Sequence, residues 1–333
     1  MIVIFSRSRD PATNDVTPWL RHLGHDVLRL NEDDPADGLA SIAMSDDAFQ
    51  LYAGGKWHQS TEIDAIWFRK GRFWLSQDPV QVSVPEHPAL SDALNASARS
   101  EDRVARQYFH HLIKRSGIRV LGNAQLGDPN KLVMLLEAKR LGLQIPPFSV
   151  TGSLSPDHRA APDRYITKSM SNGLYVWDFD QAHHGYFSFT EAVSELTSTL
   201  EEDVDFPLSL IQEKIPKSCE VRSFFLNGKF YSSVIYSQND EQTAVDFRKY
   251  NYKRPNRNVP FELPADIAEK LTALFAHFEL NTGSVDLIVD EEGRYIFLEI
   301  NPTGQYGPLQ EICNYDINQA IARWLTATEM APC

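Results

Sequence analysis

Asp286, Glu299 and Asn301 are the residues whose types and spacing best suit metal chemistry. They sit in two apolar runs, Val285-Asp286-Leu287-Ile288-Val289 and Tyr295-Ile296-Phe297-Leu298-Glu299-Ile300-Asn301-Pro302. Strand side chains alternate between faces, so Glu299 and Asn301 share one face while Leu298 and Ile300 take the other. The polar connection Asp290-Glu291-Glu292-Gly293-Arg294 predicts a hairpin that folds Asp286 beside that pair. Three hard oxygen donors then face one volume. Such a set suits magnesium carried by a nucleotide, with phosphate oxygens and water completing the octahedron. A hairpin with its charges in solvent would show the same residues, and short motifs of this kind arise by chance. Other segments must decide.

Four of them carry matching chemistry. Arg164-Tyr165-Ile166-Thr167-Lys168 reads as a strand ending in a cation, followed by the small and flexible Ser169-Met170-Ser171-Asn172-Gly173. A triphosphate fits a cation beside a backbone-rich loop, although a solvated turn has the same composition. Leu208 to Pro216 passes from an apolar strand into an extended segment, Gln212-Glu213-Lys214-Ile215, whose backbone groups can pair with an adenine edge; the alternative is an edge strand. Glu220 and Arg222 share a strand face ahead of an Asn227-Gly228 turn. A carboxylate there can accept ribose hydroxyls while the guanidinium neutralises phosphate, and a surface ion pair is the plainer reading. Arg248, Lys249, Lys253, Arg254 and Arg257 then form a basic island in a chain of formal net charge -13, either a solvated loop or a dock for phosphate or an acidic substrate.

The elements that must position these groups alternate between strand and helix. Ile2 to Phe5, a helix over Val16 to Leu23 closed by Gly24, and Asp26 to Leu30 open an α/β layer. Ile63 to Phe68 adds a strand, and Trp67-Phe68-Arg69-Lys70-Gly71-Arg72-Phe73-Trp74 follows it; this segment suits a strand end lining a substrate pocket better than base stacking, given the global charge. Residues 88 to 116 predict one or two long helices ended by Gly117, and Ile118 to Leu121 returns as a strand. Asp128 or Asn130 caps a helix that has Lys131 in its first turn and stops at Gly142. Gln144 to Phe148 is extended, a candidate boundary, and Thr151 to Asp163 reads as a loop or weak strand connection. At 333 residues, 42% of them hydrophobic, the chain predicts two or three subdomains around a sizeable core. Three cysteines, Cys219, Cys313 and Cys333, fit neither a disulfide framework nor a zinc cluster. No signal peptide or membrane span is legible, so a cytoplasmic protein is expected, with neither nucleic acid nor membrane as partner.

The order of these pieces resembles the ATP-grasp superfamily of carboxylate-amine and carboxylate-alcohol ligases over most of residues 118 to 310. The matching pieces are Lys131, Lys168, Gln212-Glu213-Lys214-Ile215, Glu220-Val221-Arg222, and Asp286 with Glu299-Ile300-Asn301. Within it, Trp67-Phe68-Arg69, Asp246-Phe247-Arg248 and Asn301-Pro302-Thr303-Gly304-Gln305-Tyr306 are most similar to the graspetide maturases, which include the microviridin ligases. Tyr306 stands where many relatives carry Trp. The resemblance implies an α/β fold with α+β subdomains: an N-terminal Rossmann-like domain at 1–121, a central lid at 122–207 and a C-terminal ATP-grasp subdomain at 208–333. It implies ATP and magnesium as cofactors and a precursor peptide, with a leader and an acidic, hydroxyl-rich core, as partner; a homodimer is the implied assembly. Side-chain carboxylates of the peptide would become acyl phosphates and then esters or amides of Ser, Thr or Lys.

By the same carry-over Lys131 and Lys168 contact phosphates, Glu213 and Ile215 the adenine, and Glu220 the ribose. Asp286, Glu299 and Asn301 hold magnesium, while Arg222 and Arg248 steady the phosphoryl and acyl-phosphate charge. The island at Arg248 to Arg257 would attract the core, and the aromatic stretch Tyr175 to Phe189 the leader. Two other functions share these residues: a ligase that adds an amino acid to a protein or small-molecule carboxylate, and a nucleotide-binding regulator without catalysis.

Overall fold

The computed structural model describes the chain apart from residues 35–38, 40, 71–81, 124, 126–129, 172, 174, 178–184, 188–189, 198–204, 238–255 and 328–333. It divides into two compact units, Met1–Gly127 with Asp316–Cys333, and Asp128–Tyr315. No described helix is long and apolar enough to cross a membrane.

In the first unit β1 (Ile2–Ser6), α1 (Pro11–His22) and β2 (Val27–Asn31) form the expected opening. The α1 start lies earlier than the apolar spacing predicted because Asp10 caps it, accepting from the Thr13 N–H at 2.9 Å, with Pro11 in its first turn. A meander of β3 (Ser41–Met44), β4 (Phe49–Ala53) and β5 (Lys56–Gln59) precedes β6 (Ala65–Phe68). α2 (Pro88–Ser116) is a single helix ended by Gly117, and β7 (Arg119–Leu121) completes a parallel sheet in the order β2-β1-β6-β7. The C-terminal helix Ile317–Thr326 packs on α1, β6 and β7. Its position in sequence gives no hint of this, since the preceding residues belong to the other unit. Arg69, at the end of β6, is buried against Asp10 at 3.3 Å, with Lys70 Nζ also 3.3 Å from that carboxylate. Burial would raise the Asp10 carboxyl, but Arg69, Thr13 and Lys70 together hold it below its usual value.

The second unit opens with α3 (Lys131–Arg140), capped by Asn130, whose Oδ1 accepts from Leu132 and Val133. A first sheet follows from β8 (Phe148–Thr151), β9 (Tyr165–Lys168), β12 (Glu191–Ala192) and β13 (Ser209–Glu213), in the order β12-β9-β13-β8. The stretch read as a loop, Thr151 to Asp163, contains the short helix α4 (Pro156–Ala160), because Ser155 caps it and Pro156 pre-sets its first turn. The two-stranded ribbon of β10 (Tyr175–Trp177) and β11 (Gly185–Phe187) lies inside the aromatic stretch, and α5 (Val193–Thr197) follows β12.

The second sheet is antiparallel: β14 (Lys217–Leu226), β15 (Lys229–Tyr236), β16 (Arg257–Phe261), β17 (Thr282–Asp290) and β18 (Tyr295–Asn301), ordered β16-β15-β14-β17-β18. Asn227 and Gly228 both take positive φ, 42° and 97°, the tight turn that matches strand twist. One face carries Val221, Phe225, Val285, Leu287, Phe297 and Ile300, all buried. α3 packs on β18 and on α6 (Ala265–His277), and Phe275 of α6 stacks on Phe225 with centroids 4.2 Å apart. The other face carries the polar residues.

Two β-bulges decide which residues reach that polar face. On β18, Glu299 lies opposite Asp286 but Phe297 lies opposite Leu287, so Leu298 is an extra residue. The expected strict alternation is therefore corrected: Leu298 occupies the bulge, and Phe297 and Ile300, three apart, both face the core. On β14 the register shifts between Lys217 and Cys219, making Ser218 extra.

Candidate active site

Across β14, β17 and β18 the polar face presents a row of three opposed residues, Arg222, Asp286 and Glu299. A row of Phe224, Ser284 and Asn301 lies beside it. Asp286 and Glu299 thus meet as the hairpin predicted, and Asn301 stands two residues further along the same face. Arg222 Nη1 is 3.4 Å from Asp286 Oδ1, and Arg222 Nη2 donates to the Gln305 carbonyl at 3.4 Å. Lys131, the first residue of α3, places Nζ 2.9 Å from Glu299 Oε2. Asn301 Oδ1 accepts from the Thr303 N–H at 3.2 Å, and the Gly304 N–H donates to the Asn301 carbonyl at 3.0 Å. The chain after β18 is thereby folded back over β17.

That return leg is tightly seated. A Cβ on Gly304 would come 2.6 Å from the Ser284 backbone nitrogen and nearer still to its side chain, so only glycine lets the loop lie this close. Tyr306, next to Gln305, is buried and packs on Phe224 with centroids 4.6 Å apart. It leads into α7 (Gly307–Cys313) and serves packing, which explains why an aromatic of either kind suits this position.

Glu220, two residues before Arg222, is buried, with Lys217 Nζ at 2.6 Å and the Ser237 hydroxyl donating at 2.8 Å, both to Oε1. Burial pushes its carboxyl up, Lys217 and Ser237 pull it back, and the Asp286 charge pushes it further up. Sequence reasoning missed Lys217 and Ser237. Odd spacing on a regular strand puts Lys217 on the face opposite Glu220, and only the Ser218 bulge brings the two together.

The other sheet of this unit holds the remaining candidates. Lys168 ends β9, half-buried and paired with Leu210. Gln212 is buried on β13, and its Nε2 has no hydrogen-bond partner among the described residues. The Glu213 N–H donates to Pro147 O at 2.9 Å and the Lys214 N–H to Arg164 O at 2.8 Å. Ile215 follows the end of β13, and its N–H makes no hydrogen bond to any described residue. Such a donor is available to a ligand. Arg248 and the island up to Arg254 lie outside the described residues, as does Asp128.

No protein-family model and no curated protein matches this sequence. Among solved structures, the Chryseobacterium gregarium RiPP-associated ATP-grasp ligase, in complex with ADP and a leader and core peptide, is similar with TM-score 0.71 and 23% identity, over 99% of this chain and 97% of that one. The macrocyclase MdnC of Microcystis aeruginosa MRC, bound with precursor peptide MdnA, is similar with TM-score 0.68 and 22% identity, over 98% and 100%. D-alanyl-alanine synthetase A of Vibrio cholerae gives 0.54 and 14%, over 98% and 97%. This chain has the ATP-grasp fold. The likeness extends over nearly the whole chain.

The donor set fits a hard divalent cation. Among the described residues no three acidic, His or Cys side chains gather in one place. Two carboxylates and an amide oxygen on adjacent strands match an ion that keeps much of its shell for phosphate and water.

Proposed function

We propose that this chain is an ATP-dependent ligase that converts Asp or Glu side chains of a ribosomal precursor peptide to acyl phosphates and closes them onto Ser, Thr or Lys side chains as ester or amide links. The observation that carries the reading is the row of Glu299, Asp286 and Arg222 on one sheet face, with Lys131 reaching Glu299 from the start of α3, in a chain similar over nearly its whole length to a ligase solved with ADP and peptides. Phosphoryl transfer asks mainly for positioning and charge neutralisation, which this row supplies without a covalent nucleophile. Magnesium bound by Asp286, Glu299 and Asn301 would bridge phosphate oxygens. Lys131 and Lys168 hold the phosphates, Gln212 to Ile215 the adenine, and Glu220 the ribose. Arg222, with Arg248, steadies the charge on the transferred group. In this reading the lid, 122–207, carries β8, β9 and β12, whose sheet is joined by β13 of the C-terminal subdomain, 208–333, and that subdomain also carries the sheet of β14 to β18. Mass spectrometry of an acidic, hydroxyl-rich precursor incubated with protein, ATP and magnesium tests the proposal. Loss of one water per bond, with ADP formed, is expected; a gain in mass would select addition of an amino acid, and nucleotide binding without ADP a regulator.

Two narrower results belong to this reading. Ile215→Pro removes the hinge N–H and is expected to weaken ATP binding about tenfold, the worth of one hydrogen bond, whereas Ile215→Val leaves it unchanged in a calorimetric titration. A homodimer is supported by α2, whose Leu90, Leu94, Val104 and Tyr108 are exposed along one stripe. Antiparallel pairing of two copies about Arg99 sets Leu90 against Tyr108 and Leu94 against Val104. It also sets the end bearing Glu86 and Asp92 toward the end bearing Lys114 and Arg115. Arg99 itself, nine residues from Leu90, points away from the stripe. Leu94→Glu is expected to give monomers in sedimentation velocity where the unaltered protein gives dimers. A cytoplasmic enzyme fits the buried free thiols of Cys219 and Cys313, and the net charge of -13 opposes nucleic acid or an anionic membrane as partner.

A further inference from the structure

Both carboxylates of the proposed metal position already hold a cation of the protein's own. Lys131 Nζ lies 2.9 Å from Glu299 Oε2, and Arg222 Nη1 lies 3.4 Å from Asp286 Oδ1. The four side chains are 18%, 23%, 22% and 19% exposed in that order, so water screens these pairs only in part. The neighbouring Glu220 is closed in the same way by Lys217 at 2.6 Å. The three pairs together carry no formal charge, and Asn301 adds none. To bind both carboxylates a free divalent cation must push an ammonium and a guanidinium aside or sit beside them.

A polyphosphate changes that balance. It brings several negative charges and oxygen acceptors of the kind that Lys and Arg bind well. Once the two cations turn to phosphate, Asp286 and Glu299 lose these counter-ions, which favours binding a metal. We propose that this site takes its divalent cation only together with a polyphosphate nucleotide, Lys131 and Arg222 acting as internal counter-ions that hold the metal carboxylates closed until phosphate draws them off. The proposal rests on the nucleotide reading above and adds that the metal alone is excluded. Coupling of this kind is reciprocal: whatever factor the phosphates add to metal affinity, the metal adds to theirs.

Manganese, whose free and bound forms are distinguished by electron paramagnetic resonance, is the probe. Without nucleotide, Lys131→Met and Arg222→Met are each expected to bind Mn2+ at least about tenfold more tightly than the unaltered protein. Lys131→Arg, which keeps the charge, stays close to the unaltered value. Adding Glu299→Gln to Lys131→Met returns the affinity to that of the unaltered protein, which assigns the gained site to this face. Mn2+ bound as tightly by the unaltered protein as by both methionine variants overturns the inference. A fluorescent ATP analogue titrated with the metal present separates the two levels: if it fails to bind, the nucleotide reading itself falls, and if it binds while Mn2+ alone also binds tightly, only the counter-ion inference does.

Discussion

Glu299→Gln is expected to lower peptide-dependent ADP formation by about 10²–10³-fold while the protein stays folded. Electrostatic groups aimed at the reacting charge supply the larger part of such catalysis, and one of them removed costs this much. The substitution keeps the shape of the side chain and removes a charge facing both the proposed metal and Lys131. Folding should be insensitive, because Glu299 is partly exposed while its neighbours Phe297 and Ile300 keep the core contacts. A coupled assay for ADP and a thermal melt check the two halves. Turnover at the ordinary rate would take Glu299 out of the metal site.

Gly304→Val should lower stability by about 3 kcal/mol, the upper range for forcing extra atoms into a packed position. The new Cβ meets the Ser284 backbone nitrogen at 2.6 Å, and Ser284 is buried near the start of β17 with paired strands on both sides, so it cannot retreat. Relief comes only from lifting the return leg, which breaks the Gly304 N–H bond to Asn301 and withdraws the Gln305 carbonyl from Arg222. A lower melting temperature and weaker nucleotide binding are expected together. A melting temperature equal to that of the unaltered protein would show that the loop does not need this close approach.

Much of the site was legible because its signals are local. Asn130 caps α3 and sets Lys131 at its start, Asn227-Gly228 turns β14 into β15, and a polar connection folds Asp286 onto Glu299. What escaped were features that depend on pairing between strands. Leu298 looks like any alternating strand residue, and the clue that it is extra is the spacing of three between Phe297 and Ile300, two residues that both belong in the core. Ser218 hides Lys217 from Glu220 in the same manner. The Ser155-Pro156 cap of α4 was readable but was outweighed by the polarity around it. The packing of the C-terminal helix with α1 is a long-range fact that no local pattern encodes.

The bulge at Leu298 makes the metal face tolerant of a change in residue count at one point of its strand. Removing Leu298 alone, with every proposed ligand retained, would let β18 run regularly from its turn, with Glu299 directly after Phe297 and still opposite Asp286. Phe297 and Ile300 would keep the core face, and Glu299 and Asn301 the polar one, by plain alternation. A one-codon deletion here is therefore a mild lesion, whereas the loss of one more codon between Tyr295 and Glu299 would turn Glu299 and Asn301 toward Val285 and Phe275 and put Ile300 beside Asp286.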